Sequence, residues 1–426
     1  MTVFVFIASL LAAMALGMPL AFSLIVSGVA LMLHLDNFDT QIVSQNLING
    51  ADNFPLMAVP FFMLAGELMN AGGMSRRIVN SALVWVGHFK GGLGYVAVFA
   101  AIIMASLSGS AVADTAALAA VLMPMMRDAG YRMDRSAGLI AAGGIIAPVI
   151  PPSIGFILFG VIGGVSISKL FMAGIFPGIL MGVALLITWW IVARKDDVKV
   201  SARVPMKEKV RVTIDAFWCY LLALTIIGGM KMGIFTPTEA AVVAVVYSLL
   251  IGLFVYREIK FKDLYGIILA AAKTSSVVMF LVAAALVSAW LITIANIPAQ
   301  VVDMLRPFID NPTLLMVMLM LMVLIVGTAL DFAPTVLILT PVLMPLVREA
   351  GINPVYFGVL FIINNAIGLL TPPVGTVLNV VCGVGRIPMH EVIRGVMPFL
   401  ISQVVVMGLL IAFPILVMGP LKWLSS

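Results

Sequence analysis

The chain has 426 residues, 63% of them hydrophobic and only 10% charged, with a mean hydropathy of +1.19, whereas an ordinary soluble domain carries about 25% charged residues. That excludes a water-soluble globular protein and points to a chain solvated by a lipid bilayer. The net charge of +5 does not signal a nucleic-acid partner, because the basic residues sit in short connections between apolar runs, where they set orientation in the membrane.

The first apolar run, residues 3–33, has no basic leader and no small-residue cleavage site, so it reads as a retained helix and not a signal peptide. Crossings are predicted at 3–33, 55–71, 136–168, 171–193, 213–230, 237–256, 264–294, 355–385 and 391–418. Two further apolar stretches, 91–126 and 312–347, are interrupted midway by Ser106-Leu107-Ser108-Gly109-Ser110 and by Gly327-Thr328-Ala329-Leu330-Asp331. Halves of ~15 residues are marginal for a core about 30 Å thick, so both stretches read as re-entrant helical hairpins. Residues 75–90 and 296–308 are too polar to span and read as interfacial helices cradling the hairpins.

With both hairpins re-entrant, one side collects Arg76, Arg77, Lys90, Arg127, Arg132, Arg135, the basic run at 194–211, Arg257, Lys260, Lys262, Arg386 and Arg394. The other side keeps Lys169, Lys231, Arg306, Arg348 and Lys422. By the positive-inside rule this layout predicts a cytoplasmic amino terminus and a periplasmic carboxyl terminus.

Residues Val121-Leu122-Met123-Pro124-Met125-Met126-Arg127-Asp128-Ala129-Gly130 reappear as Val342-Leu343-Met344-Pro345-Leu346-Val347-Arg348-Glu349-Ala350-Gly351. At the same spacing Pro151-Pro152 matches Pro372-Pro373, and Gly174 and Pro177 match Gly395 and Pro398. An odd number of crossings separates equivalent points, so the copies are expected to be inverted, the arrangement typical of secondary transporters. The fold class expected is therefore all-α, integral to the membrane, with an inverted repeat, two re-entrant hairpins and two discontinuous helices.

Each repeat carries two breaks at membrane depth, and backbone freed from a helix there needs protein, water or ions as partners. The first supplies Ser106, Ser108, Gly109 and Ser110, then Pro148, Pro151 and Ser153 in the run Pro148-Val149-Ile150-Pro151-Pro152-Ser153. The second supplies Gly327 and Thr328, then Thr371, Pro372, Gly375 and Thr376 in the run Thr371-Pro372-Pro373-Val374-Gly375-Thr376. Proline breaks the ladder, glycine lets oxygens converge, and Ser or Thr adds hydroxyls, the ligands a hard cation such as sodium takes. Small residues also serve close helix packing, so a single Ser decides little.

Asp114 lies one turn after Ser110 on the same helix face, and Asp331 sits in the second tip. An ionisable group at this depth costs at least ~2.5 kcal/mol by insertion scales and marks a functional position. Asp114 could hold a cation or, through it, a substrate carboxylate; a helix cap or local pair is the alternative for either acid. Glu67 reads as a scaffold pair and Glu239, after Thr236-Pro237-Thr238, as a cap. Asn364 and Asn365 either line the cavity or bridge helices. Cys219, Cys382 and the three separated histidines give neither a disulfide framework nor a zinc or catalytic site, so no enzyme is expected. A channel would share broken helices and oxygen-lined constrictions and is the competing reading.

Pro60-Phe61-Phe62-Met63-Leu64-Ala65-Gly66-Glu67-Leu68-Met69, Gly87-His88 with Gly91-Gly92-Leu93, the run from Ser106 to Thr115, Ile150-Pro151-Pro152-Ser153 and Leu370-Thr371-Pro372-Pro373-Val374-Gly375 carry a resemblance over nearly the whole chain. The chain resembles the large, DctM-like membrane subunit of tripartite ATP-independent periplasmic (TRAP) transporters. The resemblance implies an ion-transporter-superfamily elevator fold, with a mobile transport domain at 91–168 and 312–389 and scaffold at 1–90, 169–311 and 390–426. It implies sodium-driven uptake across the inner membrane, a small four-helix membrane subunit encoded apart from this chain, and a soluble periplasmic substrate-binding protein that holds most of the specificity. Sialic acid, C4-dicarboxylates and other carboxylates are the substrates it implies, with Ser108, Ser110, Asp114 and Asn365 toward substrate. The remaining break residues, Ser106, Gly109, Pro148, Pro151, Ser153, Gly327, Thr328, Asp331, Thr371, Pro372, Gly375 and Thr376, would then complete two sodium sites together with Ser108.

Overall fold

The computed structural model describes residues 2–36, 38–194, 203–297, 299–300, 303, 308, 311–372 and 374–425, and all regular structure among them is helical. The first repeat comprises α1 (Thr2–Ala15), α2 (Leu20–His34), α3 (Thr40–Ala51), α4 (Ala58–Ala71), α5 (Met74–Val86), α6 (Gly92–Ser108), α7 (Ala111–Asp128), α8 (Met133–Gly144), α9 (Ile154–Gly163) and α10 (Ile167–Ala193). The second comprises α11 (Met206–Asp215), α12 (Phe217–Lys231), α13 (Pro237–Leu250), α14 (Leu264–Ile294), α15 (Pro312–Ala329), α16 (Phe332–Glu349), α17 (Pro354–Gly368), α18 (Thr376–Gly385), α19 (Met389–Ala412) and α20 (Ile415–Ser425).

Both hairpins form, as α6/α7 and α15/α16, each joined by two residues. The first turns at Gly109, whose φ of +64° suits glycine, and Ser110 caps α7 by accepting from the Ala113 amide at 3.4 Å. The arms have 17 or 18 residues, somewhat longer than the sequence suggested. Each hairpin nevertheless returns to the side it left. Leu93, at the start of α6, donates its amide to the Tyr131 hydroxyl beyond the end of α7 at 3.4 Å. Pro312, opening α15, shares a cleft with Gly351 and Ile352 beyond α16.

The discontinuous helices also form. Residues 145–153 separate α8 from α9, and 369–375 separate α17 from α18. Ser153 restarts α9 by accepting from the Phe156 amide at 3.2 Å. Asn353 and Pro354 open α17, with Asn353 Oδ1 accepting from the amides of Val355 and Tyr356.

The stretch 3–33 is not one crossing. Gly17, at φ +79°, ends α1, and Pro19 precedes α2 without an amide to continue the ladder. The two helices pack on each other. Leu24 accepts from Ser288 at 2.9 Å and Gly28 lies against Leu291, so α2 runs parallel to the second half of α14. Gln300, beyond α14, donates to Thr2 at 3.2 Å, so the chain starts at the end of the bundle where α2 finishes. The single helix expected over 3–33 is thus a pair of helices.

Two other segments break where proline or a bend intervenes. Residues 213–230 resolve into α11 and α12, bent by 50°, and α19 stops before Pro414, after which α20 folds back on α10. The interfacial helix expected at 75–90 is α5, packed on α6; the one expected at 296–308 lies mainly outside the described residues.

Two packing groups emerge. α1 to α4 and α12 to α14 pack mainly among themselves, with α4 against α13 and α2 against α14. The hairpins and broken helices pack with α10 and α19, which the sequence had assigned to the scaffold; α8 and α19 make one of the most extensive helix contacts. Small residues allow that contact: a Cβ on Gly395 would lie 1.9 Å from the Asp134 carbonyl oxygen. Gly174, its repeat equivalent, meets the Val149 carbonyl oxygen at 2.4 Å in the same sense.

Candidate transport site

The first hairpin tip is a knot of hydroxyls around a buried acid. Ser108 donates its hydroxyl to Asp114 Oδ1 and accepts from the Ser110 amide at 3.2 Å. Asp114 is only 3% exposed, and its Oδ2 has no partner among the described residues. One residue on, the Thr115 hydroxyl oxygen is also buried and, among the described residues, unpartnered. Gly144 packs so close over it that a Cβ there would fall 1.7 Å from Thr115 Oγ1. Ser106 turns its hydroxyl back to the Ile103 carbonyl at 2.6 Å.

This tip presses into the first helix break. A Cβ on Gly109 would lie 2.5 Å from the Pro152 carbonyl oxygen and 3.2 Å from Ser153 Cα. The Ser153 hydroxyl donates to the Pro148 carbonyl, closing the 148–153 loop on itself, with Pro151 inside it and buried. Ser106, Ser108, Gly109, Ser110, Asp114, Pro148, Pro151 and Ser153 thus belong to one assembly.

The second tip is built differently. Gly327 and Gly368 bring backbones together, a Cβ on Gly368 falling 2.8 Å from the Gly327 carbonyl carbon. Asn365 donates from Nδ2 to the Phe332 carbonyl at 2.8 Å, and its buried Oδ1 faces Gly327 without a partner among the described residues. Thr328 donates its hydroxyl to Ile325 in its own helix at 2.7 Å, and Thr371, in the break, donates to Ile367 of α17 at 2.8 Å. Asp331 is exposed at the N-cap of α16, the place Ser110 takes in α7, and accepts from Thr376 at 3.4 Å. Gly375 restarts α18 at φ +45°. Pro372 is half-buried beside it, and Pro373 lies outside the described residues. The two assemblies meet where Phe332 of the second tip packs on Gly155 just after the first break.

Of the residues read toward substrate, Ser108, Ser110 and Asp114 cluster at the first tip, whereas Asn365 belongs to the second assembly. Sequence reading passed over Thr115 as an individual ligand, because its motif gave no means of telling which hydroxyl is left unpaired. It also missed a narrow cavity of about 70 Å³ between α4, α14 and the first tip, lined by Glu67, Asn70, Ser108, Ser110 and Thr274. Asn364 bridges helices, donating to the Met320 carbonyl. Glu239 forms a capping box with Thr236, accepting its amide at 2.8 Å.

Buried oxygens without a hydrogen-bond partner among the described residues (Asp114 Oδ2, Thr115 Oγ1, Asn365 Oδ1) suit a hard, small cation better than an apolar cargo.

Residues 7–416 match the family described as "Tripartite ATP-independent periplasmic transporter, DctM component". The 2,3-diketo-L-gulonate TRAP transporter large permease protein YiaN of Escherichia coli is 55% identical over 425 residues, 100% of either chain. The sialic acid TRAP transporter large permease protein SiaM of Vibrio cholerae is 38% identical, covering 93% of each. The C4-dicarboxylate TRAP transporter large permease protein DctM of Pseudomonas aeruginosa is 34% identical, covering 95% of this chain and 94% of its own. The crystal structure of the Alcanivorax borkumensis YdaH transporter shares the fold, with a TM-score of 0.65 over 92% of this chain and 91% of that one, at 15% identity. The chain is therefore a multi-pass inner-membrane transporter permease and not an enzyme, and it belongs to the DctM family, the large membrane subunits of tripartite ATP-independent periplasmic transporters.

Proposed function

We propose that this permease takes up a small organic acid with sodium, by elevator movement of the hairpins, broken helices, α10 and α19 against the helices α1 to α4 and α12 to α14. The observation that carries the sodium reading is the pair of unpartnered buried oxygens, Asp114 Oδ2 and Thr115 Oγ1, under a hairpin tip that meets the Pro148 to Ser153 break. Asp114 and Thr115, with Asn365 at the second tip, would hold sodium, while Ser108 and Ser110 face the cavity toward substrate. The narrow contact along that cavity, between the tip and α4 and α14, supports sliding of one group past the other.

A keto sugar acid is the favoured cargo, since the relative named for 2,3-diketo-L-gulonate is 55% identical, against 38% and 34% for those named for sialic acid and C4-dicarboxylates. A soluble periplasmic binding protein delivers it, and a small four-helix membrane subunit accompanies this chain. Both termini lie on the periplasmic side, because α1 and α2 form a pair while the basic loops keep their side.

The test is uptake of radiolabelled 2,3-diketo-L-gulonate, sialic acid and succinate by proteoliposomes holding the chain, its small subunit and the matching binding protein, with and without a sodium gradient. Accumulation that requires sodium supports the reading; sodium-independent flux without accumulation replaces it with a channel.

A further inference from the structure

A second cavity, of about 410 Å³, opens between α3 and α14 on one side and the ends of α9 and α16 on the other. That volume lies in the range of small-molecule pockets. Its polar lining is Asn46, Asn49, Thr293 and Arg348, and Trp290 adds a flat apolar face. We infer that this cavity is a binding vestibule for a sugar acid, separate from the hairpin tips, with Arg348 holding the carboxylate, Asn46 and Asn49 the hydroxyls and Trp290 the carbon face.

Arg348 lies at the base of the second hairpin and is exposed to the cavity. Its Nη2 donates to the Gly163 carbonyl at 2.8 Å. A guanidinium has five N–H donors, and among the described residues the bond to Gly163 is the one hydrogen bond Arg348 makes and no carboxylate pairs with it, which leaves donors for an anion. Asn46 donates to its own helix at Ile42, which leaves its carbonyl oxygen to accept.

The inverted repeat supplies a control within the molecule. Arg127, the equivalent of Arg348, makes the same bond to Gly385, also at 2.8 Å. Capping a helix end therefore accounts for both arginines. It does not account for the company Arg348 keeps. At the repeat spacing Asn46 and Asn49 correspond to Ile267 and Ala270, and Trp290 and Thr293 to Met69 and Gly72. At the equivalent positions beside Arg127 neither an amide nor an indole stands, so this set of groups suited to a polyhydroxy acid belongs to the Arg348 end. In the orientation proposed above that end is periplasmic, where acid released by a binding protein first meets the permease, and the vestibule's role in uptake rests on that reading.

The experiment uses cells expressing the full chain with its small subunit, with Cys219 and Cys382 replaced by serine and Thr293→Cys introduced. Thr293 spends its hydroxyl on its own helix, at Ala289, so its loss should spare the pocket. A membrane-impermeant maleimide is applied with and without 2,3-diketo-L-gulonate or succinate. Labelling of intact cells, slowed several-fold by the sugar acid and less by succinate, is the expected result. Arg348→Gln should abolish the protection, Arg348→Lys should weaken it, and Arg127→Gln should leave it intact in protein that elutes as a folded complex. Labelling indifferent to every acid, protection unchanged in Arg348→Gln, or labelling only after permeabilisation would each overturn the proposal. Protection without sodium-driven accumulation would keep the vestibule and remove the symport reading, so the two fail separately.

Discussion

Arg127, at the base of the first hairpin, donates from Nη2 to the carbonyl oxygen of Gly385, the last residue of the second repeat's broken helix, at 2.8 Å. Arg348 repeats the contact from the second hairpin to Gly163, which ends the first repeat's broken helix. Each hairpin is thus fastened to the other repeat's helix, and the positive charge sits at a helix C-terminus, where the helix dipole favours it. The two repeats are thereby interlocked.

Loss of this fastening should loosen the set without touching the tips. Arg127→Ala is expected to cost about 1 kcal/mol, and Arg127→Lys less, because the charge stays near the carbonyls. Thermal unfolding of the detergent-solubilised chain measures it, and an unchanged midpoint in Arg127→Ala would show that the bond contributes nothing.

Asp114→Asn keeps the shape of the first tip and removes its charge. Sodium-driven uptake should fall to background while the protein still assembles and elutes as wild type. Ser108→Ala removes the donor to Asp114 Oδ1 and should shift the sodium concentration for half-maximal uptake, with a smaller change in maximal rate. Normal sodium dependence in both variants would remove the tip from the ion site.

Gly144→Ala tests whether the Thr115 hydroxyl must sit where it does. The added methyl would fall 1.7 Å from Thr115 Oγ1, so the threonine must move. Transport should drop at least about ten-fold, as an overpacked rigid contact displaces its neighbours. Gly228→Ala, where a Cβ meets nothing within 4 Å, is the matched control and should transport normally.

The pairing of α1 with α2 makes the termini a direct test of topology. A protease-cleavable tag before Thr2 and another after the carboxyl terminus should both be cut in spheroplasts, from the periplasmic side. Protection of the first tag alone would restore a single crossing at 3–33.

Much of the architecture was legible in the residues because a bilayer imposes few solutions. Runs of apolar residues must span or return, and proline, glycine and serine at mid-membrane must be breaks, which placed the tips at Gly109 and Leu330 and the loops at Pro148 to Ser153 and Thr371 to Gly375. The duplicated Val121 to Gly130 segment placed the second half once the first was read. The division at Gly17-Met18-Pro19 was less visible, because a largely apolar run of 31 residues looks the same as one tilted helix or as two short ones; the packing of α2 on α14 separates them.

By itself, then, the sequence determined the membrane, most of the helices, the inverted repeat and the sites of its breaks, since these follow from hydrophobicity, helix-breaking residues and internal repetition along one chain. Tertiary structure alone decided which oxygens at those breaks remain unpaired. It also separated Asp114, buried beneath Ser108, from Asp331, exposed at a helix cap, and gave Arg348 asparagine and tryptophan neighbours that Arg127 lacks. Those distinctions depend on contacts between residues far apart in the chain, which local composition does not encode.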